Sequence, residues 1–154
     1  MWLRADHQLM AEIAPPSVLN RLEQVLVNPE PMCLAVIQVE PVSESGTGTV
    51  LCEAISTRMR EALRRYDQLL EIDCHSVALI LRTLADATVL TSRMRTFYEI
   101  AAEPYTVDNV VYEVHAVFGA AVRRPQDTPA TLLGRVDMAL DSARDAGAIG
   151  PVVV

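Results

Sequence analysis

Leu132-Leu133-Gly134-Arg135-Val136-Asp137-Met138-Ala139-Leu140-Asp141-Ser142-Ala143-Arg144-Asp145-Ala146-Gly147 is the stretch that carries the clearest structural instruction in this chain. Leu132, Leu133, Val136, Ala139, Leu140 and Ala143 recur at three- and four-residue spacing, which lines one face of an α-helix. Just upstream, Thr128-Pro129 supplies a hydroxyl cap and a proline at the first helical position, where its missing N–H is not needed. Gly147 supplies the stop. Beyond it, residues 151–154 predict a short edge strand.

Reading backwards from this helix, residues 105–121 hold β-prone side chains on both sides of Asp108-Asn109 and predict a hairpin or bent strand pair. Asp86 is placed to cap a long helix with the stripe Ala87, Leu90, Met94, Phe97 and Ala101, ending ahead of Pro104. Residues 69–72 and 77–81 read as two strands joined by the turn Asp73-Cys74-His75-Ser76. Residues 49–66 read as a helix through Leu51, Cys52, Ile55, Met59, Ala62, Leu63 and Tyr66. Residues 33–39, an apolar run between Pro31 and Pro41, read as a buried strand. Ser17 is placed to cap a first helix through Leu19, Leu22, Val25 and Leu26, which Asn28-Pro29 ends. The order α-β-α-β-β-α-β-β-α-β predicts an α+β fold, a mixed and largely antiparallel sheet flanked by helices.

The chain has 154 residues, 51% of them hydrophobic and 21% charged, which fits one domain over residues 1–154 and excludes a disordered chain. Its net charge of −7 comes from 20 acidic residues against 13 basic ones, all of them Arg. Without a basic block it is poorly suited to bind a nucleic-acid polymer. No apolar run approaches the roughly 18 residues that a membrane-spanning helix needs, so no membrane insertion is expected. The three cysteines show no CxxC spacing, and the polar start Met1-Trp2-Leu3-Arg4 is unlike a secretory signal. Both features point to a reducing cytoplasm.

The element order and four local motifs resemble the GGDEF domain of diguanylate cyclases, a relative of the palm domain of polymerases and adenylyl cyclases. The C-terminal helix is similar to the family's LLxxADxALYxAKxxG, with Asp137, Ala139, Leu140, Ala143 and Gly147 coinciding. Val117-Phe118-Gly119 falls where the family has its S-I-G strand. Leu63-Arg64-Arg65-Tyr66-Asp67 matches LRxxD ahead of the signature hairpin. Residues 7–26 align with the family's opening DxLTGLxNRxxLxxxLxxxL, keeping Leu9, Leu19, Arg21, Leu22 and Leu26.

The departures fall on the positions that the resemblance marks as catalytic. The family's first strand ends in D-x-D, whose first Asp binds Mg²⁺; here those positions are Gln38 and Glu40. The GG(D/E)EF hairpin is replaced by Asp73-Cys74-His75-Ser76-Val77. The two glycines that let the backbone approach nucleotide phosphates are thus lost, and His75 and Ser76 stand where carboxylates belong. The guanine-recognising stretch is missing from the short segment 41–48, and the family's lysine near the phosphates is Arg144. Mg²⁺ wants carboxylate oxygens, whereas Gln38 offers a neutral amide and His75 a nitrogen. An extra carboxylate at Asp73 opposes a triphosphate by about 1–4 kcal/mol at 4 Å, depending on local dielectric. These losses predict no synthesis of cyclic di-GMP, no metal site and no cofactor.

The resemblance implies a second site. In many family members an RxxD ahead of the signature binds cyclic di-GMP as an inhibitor. Arg64 and Asp67 keep that register, with Arg93 in the place of a further family arginine. Arg donates twice to guanine O6 and N7, and Asp accepts from its N–H groups. The plainer alternative is a solvated Arg64–Asp67 pair contributing roughly 0–1 kcal/mol. A zinc site at Cys74, His75 and Glu40 lacks a fourth ligand. His115, in an apolar strand, is expected to be at least half-buried. The resulting expectation is a catalytically silent domain that regulates or binds another protein, or a second copy of itself, through the face around residues 73–76 and 41–48. A cyclic di-GMP receptor is the second alternative and an active cyclase the third.

Overall fold

The computed structural model describes residues 14–42, 48–82, 87–147 and 150–154. Strand β1 (Met32–Pro41) is buried along Met32–Val39 on both faces, which explains why it reads as a continuous apolar run instead of alternating. It pairs antiparallel with β3 (Ser76–Arg82) on one side and β6 (Val114–Val122) on the other. Strand β2 (Gln68–Glu71) adds antiparallel to β3, and β7 (Val152–Val153) adds parallel to β6. The sheet order is therefore β2-β3-β1-β6-β7, mixed and mostly antiparallel as expected.

Successive β1 residues feed opposite cores, as the two-residue strand period requires. Cys33, Ala35, Ile37 and Val39 pack with Leu51, Ile55 and Met59 of α2 (Gly48–Ala62) and with Leu90, Met94, Phe97 and Ala101 of α3 (Ala87–Ala102). Leu34 and Val36 pack with Val18, Leu22 and Val25 of α1 (Pro16–Val27) and with Leu132, Leu133, Val136 and Leu140 of α4 (Pro129–Ala146). Gly119 of β6 lets α4 lie directly on the sheet. A Cβ there would sit 2.7 Å from the Leu140 nitrogen and 2.9 Å from Leu140 Cγ.

The caps of α4 follow the sequence. Thr131 N donates to Thr128 Oγ1 at 3.2 Å and Thr128 N to Thr131 Oγ1 at 2.8 Å, while Gly147 ends the helix in the left-handed region at φ 58°. The larger departures from expectation fall at three places. α1 starts at Pro16 with Pro15 as its N-cap and no side-chain cap, so Ser17 lies inside the helix. The preset φ of Pro16 starts the helix two residues early. α2 stops at Ala62, leaving Leu63 and Tyr66 outside it, and Tyr66 is 65% exposed. Residues 105–121 form three strands instead of two. A separate hairpin, β4 (Tyr105–Val107) and β5 (Val110–Tyr112), turns at Asp108 and Asn109, and β6 follows. Both turn residues have positive φ, 51° and 66°, the signature of a two-residue turn matched to strand twist. The Asp86 cap lies outside the described residues.

Arg58 of α2 was not singled out by sequence pattern, yet it fastens the end of α3. Its guanidinium donates to the carbonyls of Ile100, Glu103 and Pro104 at 3.1, 2.7 and 2.8 Å and lies 3.6 Å from the centre of the Tyr105 ring. The orphan carbonyls of a helix C-terminus attract such a cation.

Candidate functional site

Two groups of the residues singled out in the sequence come together. The first lies where α2 gives way to β2. Arg93 Nη2 of α3 meets Asp67 Oδ2 at 2.5 Å, with side-chain exposures of 9% and 2%. The same oxygen accepts the Arg64 N–H at 3.0 Å, and Asp67 Oδ1 accepts the Arg82 N–H at 3.3 Å. The Arg93 guanidinium also lies 5.3 Å from the centre of the Phe97 ring. Asp67 is thus neither solvated nor paired with the Arg64 side chain. Arg64 offers it only a backbone N–H, and the residue itself is exposed. The expected solvated Arg64–Asp67 pair is replaced by a buried one with Arg93, because the chain leaves the helix at Ala62 and turns the carboxylate inward.

The second group lies at the C-terminal end of β1. Gln38 is buried and stands opposite Ser76, also buried, in the β1–β3 ladder. Its Oε1 accepts from Arg144 Nη2 of α4 at 2.7 Å, and Arg144 Nη1 holds Asp141 at 2.9 Å. Two residues on, Glu40 faces His115 across the β1–β6 ladder. Burial pushes the Glu40 carboxyl above the usual carboxylate range, and His75, Arg144 and His115 offset this only in part. His115 is exposed, contrary to expectation, because it belongs to the outer end of β6, where only every other residue meets the core.

The hairpin between β2 and β3 is built from its own polar groups. Asp73 Oδ1 accepts the His75 N–H at 2.8 Å, closing a side-chain-to-backbone turn, and the His75 carbonyl accepts from Val39 N at 2.8 Å. Asp73 and Cys74 are exposed, whereas His75 is half-buried and its Nδ1 is enclosed without a hydrogen-bond partner. Among the described residues, no three His, Cys, Asp or Glu side chains converge in a way that could hold a metal ion.

A two-strand hairpin with an exposed tip thus lies beside the end of a central antiparallel strand, with helices on both faces of the sheet. The family model described as diguanylate cyclase, GGDEF domain, matches residues 46–149. The chain belongs to the GGDEF domain family. No curated protein matches this GGDEF domain. Among solved structures, the GGDEF domain of YfiN (also TpbB) from Pseudomonas aeruginosa superposes with a TM-score of 0.76 at 20% identity, covering 92% of this chain and 96% of that one. The GGDEF domain of DgcB from Caulobacter crescentus, solved in complex with c-di-GMP, gives a TM-score of 0.70 at 14% identity over 99% and 96%. The diguanylate cyclase SiaD of Pseudomonas aeruginosa, solved with its activator SiaC, gives 0.65 at 22% identity, over 94% of this chain and 63% of that one. At these identities the likeness speaks for the fold.

In this GGDEF domain the sequence had marked Gln38, Glu40, His75 and Arg144 separately, without the Gln38–Arg144 bond that joins two of them. Nothing in the local pattern announces a contact between the last turn of a helix and a strand 106 positions away. The segment 43–47, expected to border the same face, lies outside the described residues. No described helix is long and apolar enough to cross a membrane.

Proposed function

We propose that this GGDEF domain is catalytically silent and serves bacterial signalling as a regulatory or protein-interaction domain, one unit over residues 1–154 acting in the cytoplasm. The observation that carries the reading is the Gln38–Arg144 bond at 2.7 Å. Joining nucleotide units through an α-phosphate needs metal ions to clamp the attacking and leaving oxygens. A neutral amide already bonded to a guanidinium is a poor Mg²⁺ ligand, and Glu40 beside it is a partly buried carboxyl whose charged form is disfavoured. His75 adds a nitrogen, not a carboxylate. Incubation with GTP and Mg²⁺ or Mn²⁺, followed by chromatography, tests this. Cyclic di-GMP formation abolished by a Glu40 substitution would refute it.

The interaction role is supported by the exposed hairpin tip, Asp73 and Cys74, and by Val42, 52% exposed at the end of β1. A face with no nucleotide to admit is free to pack against a partner or a second copy. Light scattering at micromolar concentration and a pull-down from the native host test this. A strict monomer that captures nothing, or a partner indifferent to Asp73→Arg, counts against it.

A second reading, reception of cyclic di-GMP at Arg64, Asp67 and Arg93, is favoured by the meeting of Asp67 and Arg93 from positions 26 apart. Guanine there would have to exchange with bonds that Asp67 already makes, while the exposed Arg64 is free to reach a base edge. Calorimetry with cyclic di-GMP decides; binding unaffected by Arg64→Ala would remove this reading.

A further inference from the structure

The two-stranded sheet of β4 and β5 leaves one edge of β4 unpaired, and that edge opens into a groove of about 510 Å³ against α2. Tyr105, Thr106, Val107 and Asp108 all line the groove. Successive strand residues point to opposite faces, so a surface that touches four in a row runs along the strand's edge. The opposite wall is α2, which contributes Glu53, Arg58 and Glu61. The two-residue turn Asp108-Asn109 makes Val107 and Val110 the pair that exchange backbone bonds, and Thr106 and Val111 the pair that do not. The N–H and C=O of Thr106 therefore point away from β5, and outside the hairpin no described residue bonds either group.

We propose that this groove takes an extended, basic segment of a partner protein, which joins β4 as an antiparallel third strand. One residue of the segment donates its N–H to the Thr106 carbonyl and accepts the Thr106 N–H, the main-chain pairing by which strands are added to open edges. The lengths agree. Glu53 and Glu61, two turns apart on α2, are separated by about 12 Å along its axis. Four extended residues span about 13 Å. A two-stranded sheet is marginal by itself and gains from a third strand.

Charge selects the occupant. Glu53, Glu61 and Asp108 are exposed, and among the described residues none of them has an ion-pair partner. Arg58 adds a cation to the lining, but its guanidinium is engaged by the carbonyls of Ile100, Glu103 and Pro104. It lies over the Tyr105 ring, and Tyr105 is buried. A segment with Arg or Lys at alternate positions sets its cations against the three carboxylates and lays their aliphatic stems along the groove. A second copy of this chain, with its net charge of −7, is a poorer match. The groove is distinct from the face around residues 73–76, and the inference is independent of whether the domain is catalytically silent.

The probe is a fluorescein-labelled hexapeptide of alternating Arg and Val, titrated into the full chain and followed by anisotropy and by amide hydrogen exchange. Binding should slow exchange at the Thr106 amide. Glu53→Arg combined with Glu61→Arg should weaken binding roughly tenfold or more, and Asp73→Arg should leave it unchanged. Thr106→Pro removes the outward N–H at a position where an edge strand accepts proline, so it should weaken binding with the fold retained. A fully N-methylated peptide of the same sequence, which leaves the protein untouched, should not bind. No binding at millimolar peptide, equal binding of the N-methylated peptide or of one alternating Glu and Val, or protection at Val111 in place of Thr106 would each overturn the proposal.

Discussion

Asp67 and Arg93 form an ion pair at 2.5 Å that is almost closed to solvent, and the carboxylate also takes the backbone N–H groups of Arg64 and Arg82. One side chain thereby ties the end of α2 and the end of β3 to α3. Removing one partner of such a pair leaves a buried charge without compensation, which costs about 3–5 kcal/mol. Arg93→Ala should lower stability by that amount in urea unfolding. Arg64→Ala, which retains the backbone donor, should stay within about 0.5 kcal/mol of the parent. Equal losses from the two variants would show that the pair does not hold these elements together.

If the domain is silent as proposed, adding one acidic residue should not confer chemistry. Gln38→Asp supplies a carboxylate, but Arg144 is within reach to pair with it, and His75 and Ser76 still occupy the hairpin. The variant should give no cyclic di-GMP from GTP with Mg²⁺ or Mn²⁺ by chromatography. Product above the parent's level would mean that Gln38 alone silences the site.

Gly119 should tolerate no side chain. The nearest atom to a Cβ there is the Leu140 backbone nitrogen at 2.7 Å, and neither strand nor helix backbone yields easily. Gly119→Ala should destabilise by about 1–3 kcal/mol, as overpacked cores do. Gly134→Ala is the control, because its Cβ would meet nothing within 4 Å. A mid-helix Gly→Ala should stabilise by roughly 0.5–1 kcal/mol.

The two perturbed carboxyls should move stability with pH in opposite senses. Partial burial holds the Glu40 carboxyl above its ordinary range, so the folded state holds its proton more tightly than the unfolded chain. Its contribution is fully present below the ordinary Glu range and is lost as pH rises through the folded value. Glu40→Gln should therefore gain on the parent at pH 7 and lose the gain in acid. For Asp127, burial works to raise the carboxyl, but the Arg124 N–H, the Thr131 hydroxyl and Arg135 together hold it below its usual value. Its contribution is present above the ordinary Asp range and is lost as pH falls through the folded value, so Asp127→Asn should lose stability at pH 7 and converge with the parent in acid. Thermal unfolding from pH 3 to 8 reads both signs.

Much of the fold was legible because it rests on local chemistry. The α4 stripe, the Thr128 cap and the Gly147 stop act over a few residues, and the structure keeps all three. The Asp73–Ser76 turn and the buried β1 run were visible for the same reason. The misplaced boundaries had competitors a few residues away. Pro16 overrode Ser17 as the helix start, and the inward turn of Asp67 cut α2 short of Tyr66.

By itself the sequence determined the helices, most of the strands and the absence of carboxylates at Gln38 and His75, since residue identity and short-range periodicity are all those require. Only the tertiary structure decided who meets whom. Arg93 reaches Asp67 and not solvent, Arg144 reaches Gln38, and Arg58 grips the end of α3. Each contact joins different elements, and its partners are selected by how helices seat on a twisted sheet. That seating is set by the summed packing of two cores and leaves no mark in the spacing of any single segment.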